Sequence, residues 1–298
     1  LFLTLLLKNP WNLKKMIKGN LKNFEVKVGK INFSNRKKIK LIAGPCQIES
    51  RDHAMEICSE INEICQKLAI EFVYKSSFDK ANRSSHESSR GIGIKKGLEI
   101  LSEIKEKYNC PTITDVHEAN QCDEVSKSVD IIQIPAFLCR QTDLLISAGN
   151  TNCAINIKKG QFLSPWDMKN VVNKILSTGN RKILITERGT MFGYNNLISD
   201  MISLPILKHN GFPVVVDATH SVQIPWGKGT SSGGQWEFAE VLAKAAITTG
   251  ISSIFLETHQ NPSIAPSDGP NMIPLKDLSN ILHSLLLYDN LAKSDYIN

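Results

Sequence analysis

Ile39-Lys40-Leu41-Ile42-Ala43, followed by Gly44-Pro45-Cys46, sets the reading of the whole chain. The first five residues form a strand-like apolar run, and Gly-Pro stops it. Ala54 to Ala69 then places Met55, Ile57, Cys58, Ile61, Ile64, Cys65 and Leu68 three and four residues apart, the stripe with which a helix packs on a sheet. This strand-then-helix unit repeats. Short β-rich runs recur at Phe72 to Tyr74, Thr112 to Thr114, Ile131 to Ile134, Ala154 to Ile157, Ile183 to Thr186, Val214 to Val216 and Ile254 to Leu256. Ile94 to Tyr108 and Gln235 to Thr249 carry the helical period. Eight such units across residues 39 to 290 fit an α/β fold, a single (β/α)8 TIM barrel of about 250 residues, better than an open doubly wound sheet. The open sheet normally offers a Gly-rich first turn. Gly91-Ile92-Gly93-Ile94-Lys95-Lys96-Gly97 lacks the GxGxxG spacing, and Gly227-Lys228-Gly229-Thr230 lacks the P-loop pattern.

Upstream, Phe24 to Phe33 alternates apolar and polar residues around Gly29 and is expected to be a β-hairpin that caps the barrel. The domain plan is therefore a tail over residues 1–24, a barrel over 25–290 and a short C-terminal tail over 291–298. The first 24 residues hold five lysines and no acid, but lack the Arg and Ser richness of a transit peptide.

With 298 residues, of which 42% are hydrophobic, the chain can bury a substantial core, which excludes disorder as its overall state. The net charge of +6 is spread along the chain, so neither nucleic acid nor a membrane surface is an expected partner. No window reaches 18 consecutive apolar residues. Seven cysteines with no CxxC pair fit a reducing, cytoplasmic setting better than a disulfide framework.

Polar residues cluster just after each strand: Cys46, Lys75, Asp115 and His117, Gln133, Lys158, Glu187 and Arg188, Asp217 and His220, Glu257 and His259. In a barrel these ends share one face, so a pattern scattered along the sequence converges on one pocket. Two chemical groups stand out. Lys75, Lys80, Arg83, Lys158 and Arg188, with Arg140 nearby, are cations that would repel one another unless the ligand is polyanionic, and phosphates are the obvious candidates. Cys46, His220, Glu257 and Asp268 form the second group. Strand eight pairs with strand one in a closed barrel, so Cys46 and Glu257 become neighbours despite a separation of 211 residues. A thiolate, an imidazole and two carboxylates suit a divalent transition metal, Fe2+, Zn2+, Mn2+ or Co2+, rather than Mg2+ or Ca2+. A buried thiol with His and Glu engaged only in hydrogen bonds is the other reading of the same residues. Glu187 and Glu257 as paired glycosidase carboxylates are disfavoured, because the surrounding cations would leave no general acid.

Several long blocks carry a family resemblance over about residues 25 to 290: Ile42-Ala43-Gly44-Pro45-Cys46, Lys75 to Ser85, Gln133 to Asp143, Glu187-Arg188-Gly189-Thr190, Asn156 to Phe162, Asp217-Ala218-Thr219-His220-Ser221 and Glu257-Thr258-His259. The chain resembles the 3-deoxy-D-manno-octulosonate 8-phosphate synthases. The resemblance implies condensation of phosphoenolpyruvate with arabinose 5-phosphate and water, with release of phosphate, for lipopolysaccharide sugar synthesis. It implies that Lys75, Lys80, Gln133, Lys158 and Arg188 hold phosphoenolpyruvate. Asn82, Arg83 and Ser84 would clamp the aldose phosphate, reaching across from a neighbouring subunit of a homotetramer, with Asp115 near the sugar hydroxyls. Lys75, Lys80, Lys158, His220 and Asp268 are the residues expected to act in catalysis.

Cys at position 46 resembles the metal-dependent branch of that family, with Cys46, His220, Glu257 and Asp268 as the implied ligands. Asp268-Gly269-Pro270 also resembles the metal-independent branch. Two alternatives remain. One is the related 3-deoxy-heptulosonate 7-phosphate synthase, which uses erythrose 4-phosphate but whose Lys-Pro-Arg style segment is absent here; the other is a non-catalytic barrel that binds a phosphorylated metabolite. Gly227 to Gly234 is a candidate lid. A chain that starts at Met16 is expected to fold and stay active; loss of the folded state on that truncation, followed by circular dichroism, would refute the assignment of the tail.

Overall fold

The computed structural model of the protein describes residues 22–294, apart from Ser84, Ser88 and residues 226–232. Two short strands, β1 (Val26–Val28) and β2 (Ile31–Phe33), pair antiparallel about the turn at Gly29. The chain then enters β3 (Lys40–Gly44), α1 (Arg51–Leu68), β4 (Phe72–Lys75), α2 (Ile94–Tyr108), β5 (Thr112–Asp115), α3 (Gln121–Val125), β6 (Ile131–Ile134), α4 (Thr142–Gly149), β7 (Ala154–Lys158), α5 (Met168–Leu176) and β8 (Ile183–Glu187). A small hairpin, β9 (Thr190–Met191) and β10 (Leu197–Ile198), precedes α6 (Ser203–Lys208) and β11 (Val214–Asp217). The one-turn helix α7 (Ala218–Ser221), the hairpin β12 (Gln223–Ile224) with β13 (Gly233–Gly234), α8 (Ala239–Ile247), β14 (Ser253–His259), β15 (Ile273–Pro274) and α9 (Leu275–Ala292) complete the described chain.

β3, β4, β5, β6, β7, β8, β11 and β14 pair in parallel, each with its neighbours in chain order. The barrel closes where Ser253↔Lys40 through Glu257↔Gly44 register β14 on β3. This is the eight-stranded closure that the apolar runs predict. Helices form locally for ordinary reasons. Ser50 Oγ accepts the His53 N–H at 3.2 Å to start α1, and Ala69, at φ 50°, turns the chain left-handed to end it. The helix expected over Gln235 to Thr249 is shorter: residues 236–238 form a 3-10 turn and the α-helix begins at Ala239.

A closed barrel turns alternate residues inward. One residue from every strand, Ile42, Val73, Ile113, Ile131, Ala154, Leu184, Val215 and Phe255, fills the interior. Val26, Val28, Ile31 and Phe33 of the hairpin pack onto that layer, so the hairpin plugs the barrel. The residues of opposite phase, among them Leu41, Tyr74, Ile132, Ile155, Ile185, Val216 and Leu256, join the larger core between strands and helices. At the other terminus the boundary expected at residue 290 falls inside α9. That helix continues to Ala292 because the buried Lys293 ion-pairs with Asp289 at 2.5 Å and donates to the Lys37 carbonyl at 2.6 Å. Phe24, assigned by sequence to the N-terminal tail, is held by its N–H to the Gly211 carbonyl at 2.7 Å and by its ring, 5.1 Å from that of Phe212.

Phe33, fully buried in the plug, supplies the test of this packing. Phe33→Ala is expected to destabilise the fold by about 3–5 kcal/mol, read from urea unfolding, because a buried ring leaves a cavity; a loss below about 1 kcal/mol would show that the hairpin is not part of the cooperative core.

Candidate active site

The inward layer above the apolar one follows from the same period of two. Two positions beyond Ile42, Val73, Ile113, Ile131, Ala154, Leu184, Val215 and Phe255 stand Gly44, Lys75, Asp115, Gln133, Asn156, Thr186, Asp217 and Glu257. All eight are buried. Lys75, Asp115 and Gln133 of this layer reach a cavity of about 890 Å³ whose lining also includes Lys80, Arg83, Lys158, Arg188, His220 and Asp268. Gly44 is required: a Cβ there would lie 2.0 Å from the Lys75 carbonyl oxygen.

Lys75, one of the most deeply buried side chains, reaches across β3 to Glu257 at 2.5 Å and donates to the Cys46 carbonyl at 3.2 Å. Burial works to lower the lysine pKa, but the nearby acidic groups, Glu257 foremost and Asp115 after it, together hold the value above the ordinary one. Burial likewise works to raise the Glu257 pKa, and Lys75 and His220 hold it below its usual value. Both groups are thus charged near neutral pH. Lys158 ion-pairs with Asp217 at 2.6 Å. Lys80 donates to Ser77 Oγ at 3.0 Å, and Ser77 in turn donates to Asp115. Gln133 also donates to Asp115, while Asn156 donates to Gln133 at 2.9 Å and Thr186 to Asn156 at 2.6 Å. The Asp115 carboxyl is lowered well below the carboxylate range, because Lys75 and Lys80 overcome the opposing effect of burial.

Cys46, His220, Glu257 and Asp268 do meet. Cys46 Sγ, a Glu257 oxygen and an Asp268 oxygen lie within 4.8 Å of one another. Cys46 Sγ donates to Asp268 Oδ2 at 3.0 Å, and His220 Nε2 stands 3.6 Å from Glu257 Oε2 and 4.0 Å from Asp268 Oδ2. His220 sits on α7, whose first turn is capped by Asp217: Oδ1 accepts the His220 N–H at 2.9 Å, and Oδ2 lies 2.7 Å from ring Nδ1. That contact places a ring proton on Nδ1 and turns Nε2 toward the two carboxylates. The remaining carboxylate oxygens are engaged elsewhere: Glu257 Oε1 by Lys75, and Asp268 Oδ1 by Gln223 Nε2 at 3.0 Å. Asp268 adopts φ 53°, a left-handed turn that Asp tolerates. Burial and the Glu257 charge push the Cys46 thiol pKa up. Burial also opposes ionisation of Asp268, but His220 and Lys80 hold its carboxyl below the usual range. One sulfur and two carboxylate oxygens within ligand reach of one another, with an imidazole nitrogen beside both carboxylates, are donor types that fit a divalent transition metal.

Other expectations fare differently. Arg188 lines the cavity, donates from Nη2 to Gln223 Oε1 at 2.9 Å and leaves Nη1 buried without a partner. Arg83 and Asn82 also line it, with Arg83 Nη2 on Gln47 Oε1 at 2.7 Å. Arg140 is exposed and outside the lining, its carbonyl accepting from Lys174, because it follows the turn after β6 rather than the strand itself. Glu187 is turned from the cavity: Oε1 accepts the Arg188 and Gly189 N–H groups, each at 2.9 Å, and Oε2 the Ser203 hydroxyl at 3.2 Å. It therefore anchors the turn that presents Arg188. Ser84 lies outside the described residues, as does most of the Gly227 to Gly234 segment, whose last two residues form β13 against β12.

Residues 19–293 match the model of the DAHP synthetase I family. The chain belongs to that family. Within it, this DAHP synthetase I member is 59% identical over 271 residues to the 2-dehydro-3-deoxyphosphooctonate aldolase of Bartonella tribocorum, covering 91% of this chain and 98% of the relative. It is 55% identical over 272 residues to the protein of the same name from Brucella ovis, at 91% and 98% coverage.

Ser77, Asp217 in its role beneath His220, and Gln223 were not singled out as site residues in the sequence. Asp217 was accessible to it, since it stands at the end of a strand two positions beyond an inward Val. Ser77 and Gln223 lie in turns, where polar residues are the rule and carry no distinguishing signal. The unpartnered Nη1 of Arg188 is a buried donor aimed at an anion. Inorganic phosphate should bind the protein in calorimetry, and Arg188→Lys, which keeps charge but loses the planar fork, should weaken it about 10- to 100-fold. Equal affinity in the variant would place the anion elsewhere.

Proposed function

We propose that this family member is a 3-deoxy-D-manno-octulosonate 8-phosphate synthase, an enzyme that joins phosphoenolpyruvate to arabinose 5-phosphate. The observation that carries the reading is a cavity lined by Lys80, Arg83, Lys158 and Arg188 together with His220 and Asp268, which contact Cys46 and Glu257 just behind its wall. The shared name of the Bartonella and Brucella relatives supports the octulosonate product over the heptulosonate alternative. In the reaction, C3 of the enol bonds to the aldehyde carbon, the oxygen of water bonds to C2, and the bond between C2 and the bridging oxygen of the phosphate breaks; the two water protons end on the former aldehyde oxygen and on the released inorganic phosphate, leaving a ketone at C2.

Lys80, Lys158 and Arg188 hold the carboxylate and phosphate of phosphoenolpyruvate, with Lys75 and Gln133 beneath it. Asn82, Arg83 and Ser84 hold the aldose phosphate, and Asp115, ionised and anchored by Ser77 and Gln133, faces the sugar hydroxyls. Orientation by these groups removes most of the entropic barrier to a three-component reaction, and the cations stabilise charge that develops on the departing phosphate. Cys46, His220, Glu257 and Asp268 are the ligands of a divalent transition metal, Fe2+, Zn2+, Mn2+ or Co2+, which when bound supplies Lewis-acid polarisation of the aldehyde or of water. His220 holds its proton on Nδ1 against Asp217, so ring orientation is fixed independently of substrate.

The β9–β10 turn exposes Phe192 and Tyr194, and Ile202 follows nearby. These apolar side chains support the homotetramer; because Asn82 and Arg83 line the cavity of their own chain, the clamp expected from a neighbouring subunit is assigned to the same chain instead. Among the described residues no helix is long and apolar enough to cross a membrane, and the cytoplasm is the proposed location.

Phosphate release from phosphoenolpyruvate tests the reading. It is expected with arabinose 5-phosphate, to vanish when a chelator strips the protein, and to return with Co2+ or Zn2+. Cys46→Ala should lose bound metal and at least about 10- to 100-fold in turnover without unfolding the barrel. Preference for erythrose 4-phosphate would overturn the substrate assignment, and full activity of metal-free Cys46→Ala protein would overturn the ligand set.

A further inference from the structure

The Cys46 segment leaves the barrel before it reaches the site. The β3–β14 ladder ends at Gly44↔Glu257, so Cys46 lies two residues beyond the last paired position. On the β4 side, the segment is tied by backbone: Ser77 N–H donates to the Cys46 carbonyl at 3.3 Å and Ile48 N–H to the Ser77 carbonyl at 2.9 Å. On the β14 side, it is rejoined by side chains three and two residues further along. His259 Nε2 lies 2.8 Å from Glu49 Oε1, and the Asn261 N–H donates to His259 Nδ1 at 2.9 Å. His259 is buried and Glu49 partly so. The His53 ring packs on His259, centroids 4.8 Å apart, bringing the first turn of α1 to the same point, with His53 Nδ1 3.9 Å from Glu49 Oε1.

The Asn261 contact decides what this group does. A backbone N–H pointing at Nδ1 requires a lone pair there, so the imidazole proton resides on Nε2 and is donated to Glu49. A metal on His259 Nε2 would need that same position as a lone pair. The trio of Glu49, His53 and His259, although its ligand atoms lie within 4.8 Å of one another, is thereby a hydrogen-bonded clasp rather than a second ion site.

We infer that Glu49 and His259 are positioning residues, clasping the Cys46 loop to the β14 strand so that Cys46 Sγ and Glu257 Oε2 are held at ligand separation before an ion arrives. This rests on the proposed metal site. The consequence for chemistry is specific: Glu49 acts as a hydrogen-bond acceptor, and its charge is dispensable. Glu49→Gln keeps a carbonyl oxygen for the His259 proton, whereas Glu49→Ala and Glu49→Met remove it.

Co2+ titration of the chelator-stripped full chain tests this, with the cobalt–thiolate absorption reporting Cys46, dialysis giving ions bound per chain and circular dichroism checking the fold. Glu49→Gln is expected to match wild type. Glu49→Ala should weaken Co2+ and reduce the thiolate band at a given ion concentration by about tenfold in affinity, the lower end of losses for groups that orient ligands. Glu49→Met, which keeps the side-chain length, carries the same expectation if the alanine variant does not fold. Wild-type Co2+ affinity in both of these variants, with the band abolished in Cys46→Ala, would overturn the clasp while leaving the metal site standing. An unchanged titration of Cys46→Ala would overturn the metal site itself. Loss of one bound ion in Glu49→Gln with the thiolate band intact would make Glu49 a ligand of a second ion and also overturn the clasp.

Discussion

Lys75 and Glu257 face each other across a strand that carries no side chain between them, and the site is arranged around that contact. Gly44 of β3 stands between β4 and β14 in the sheet, and the ammonium of Lys75 crosses above it to Glu257 Oε1 at 2.5 Å. Both groups are only 1% exposed. Removing either partner of such a buried pair leaves an uncompensated charge, an effect of about 3–5 kcal/mol. The pair therefore fixes where β3, β4 and β14 can sit, and with them the loop that bears Cys46. It also divides the labour of one carboxylate, because Oε1 is held by the lysine and Oε2 is left facing His220.

The same division recurs at Asp268. Oδ1 takes Gln223, while Oδ2 takes the Cys46 thiol and faces His220. Asp217 completes the pattern from below by holding His220 Nδ1 and Lys158 at once. Glu257, Asp268 and His220 thus each have one end fixed while the other faces the Cys46 side of the site. Such prior fixing of ligands is what allows a metal site to bind without first paying the entropy of ordering long side chains.

How much of this was legible in the sequence follows from which features obey a period. The eight strands were readable because β-rich apolar runs such as Ile131 to Ile134 end at polar residues, and closure of strand eight on strand one then brought Cys46 beside Glu257. The hairpin was readable as a cap on the barrel, but the interior layer it packs on was not, because Val26 and Phe33 alternate as any edge strand would. Arg140 misled because nearness in sequence to a strand end does not place a residue inside the barrel once a 3-10 turn, residues 136–138, intervenes. His259 was visible at the end of its strand. Its clasp was not, since the tautomer depends on an Asn261 N–H that only the fold brings round.

The charge argument also changes when read in space. From sequence, the cations seemed to require a polyanion to relieve their repulsion, but the barrel alternates them with acids: Lys75 with Glu257, Lys158 with Asp217, and Lys80 with Asp115 through Ser77. Repulsion is relieved inside the protein itself. What the cavity retains is therefore narrower than a pool of positive charge. Arg188, with Nη2 on Gln223 and Nη1 unpartnered, is a cation that the fold leaves incompletely satisfied. A phosphate or carboxylate that reaches it gains a buried, oriented donor, while the paired lysines contribute without having to be reorganised. What the fold leaves open beside the cavity is thus one buried guanidinium nitrogen, set among lysines that already have partners.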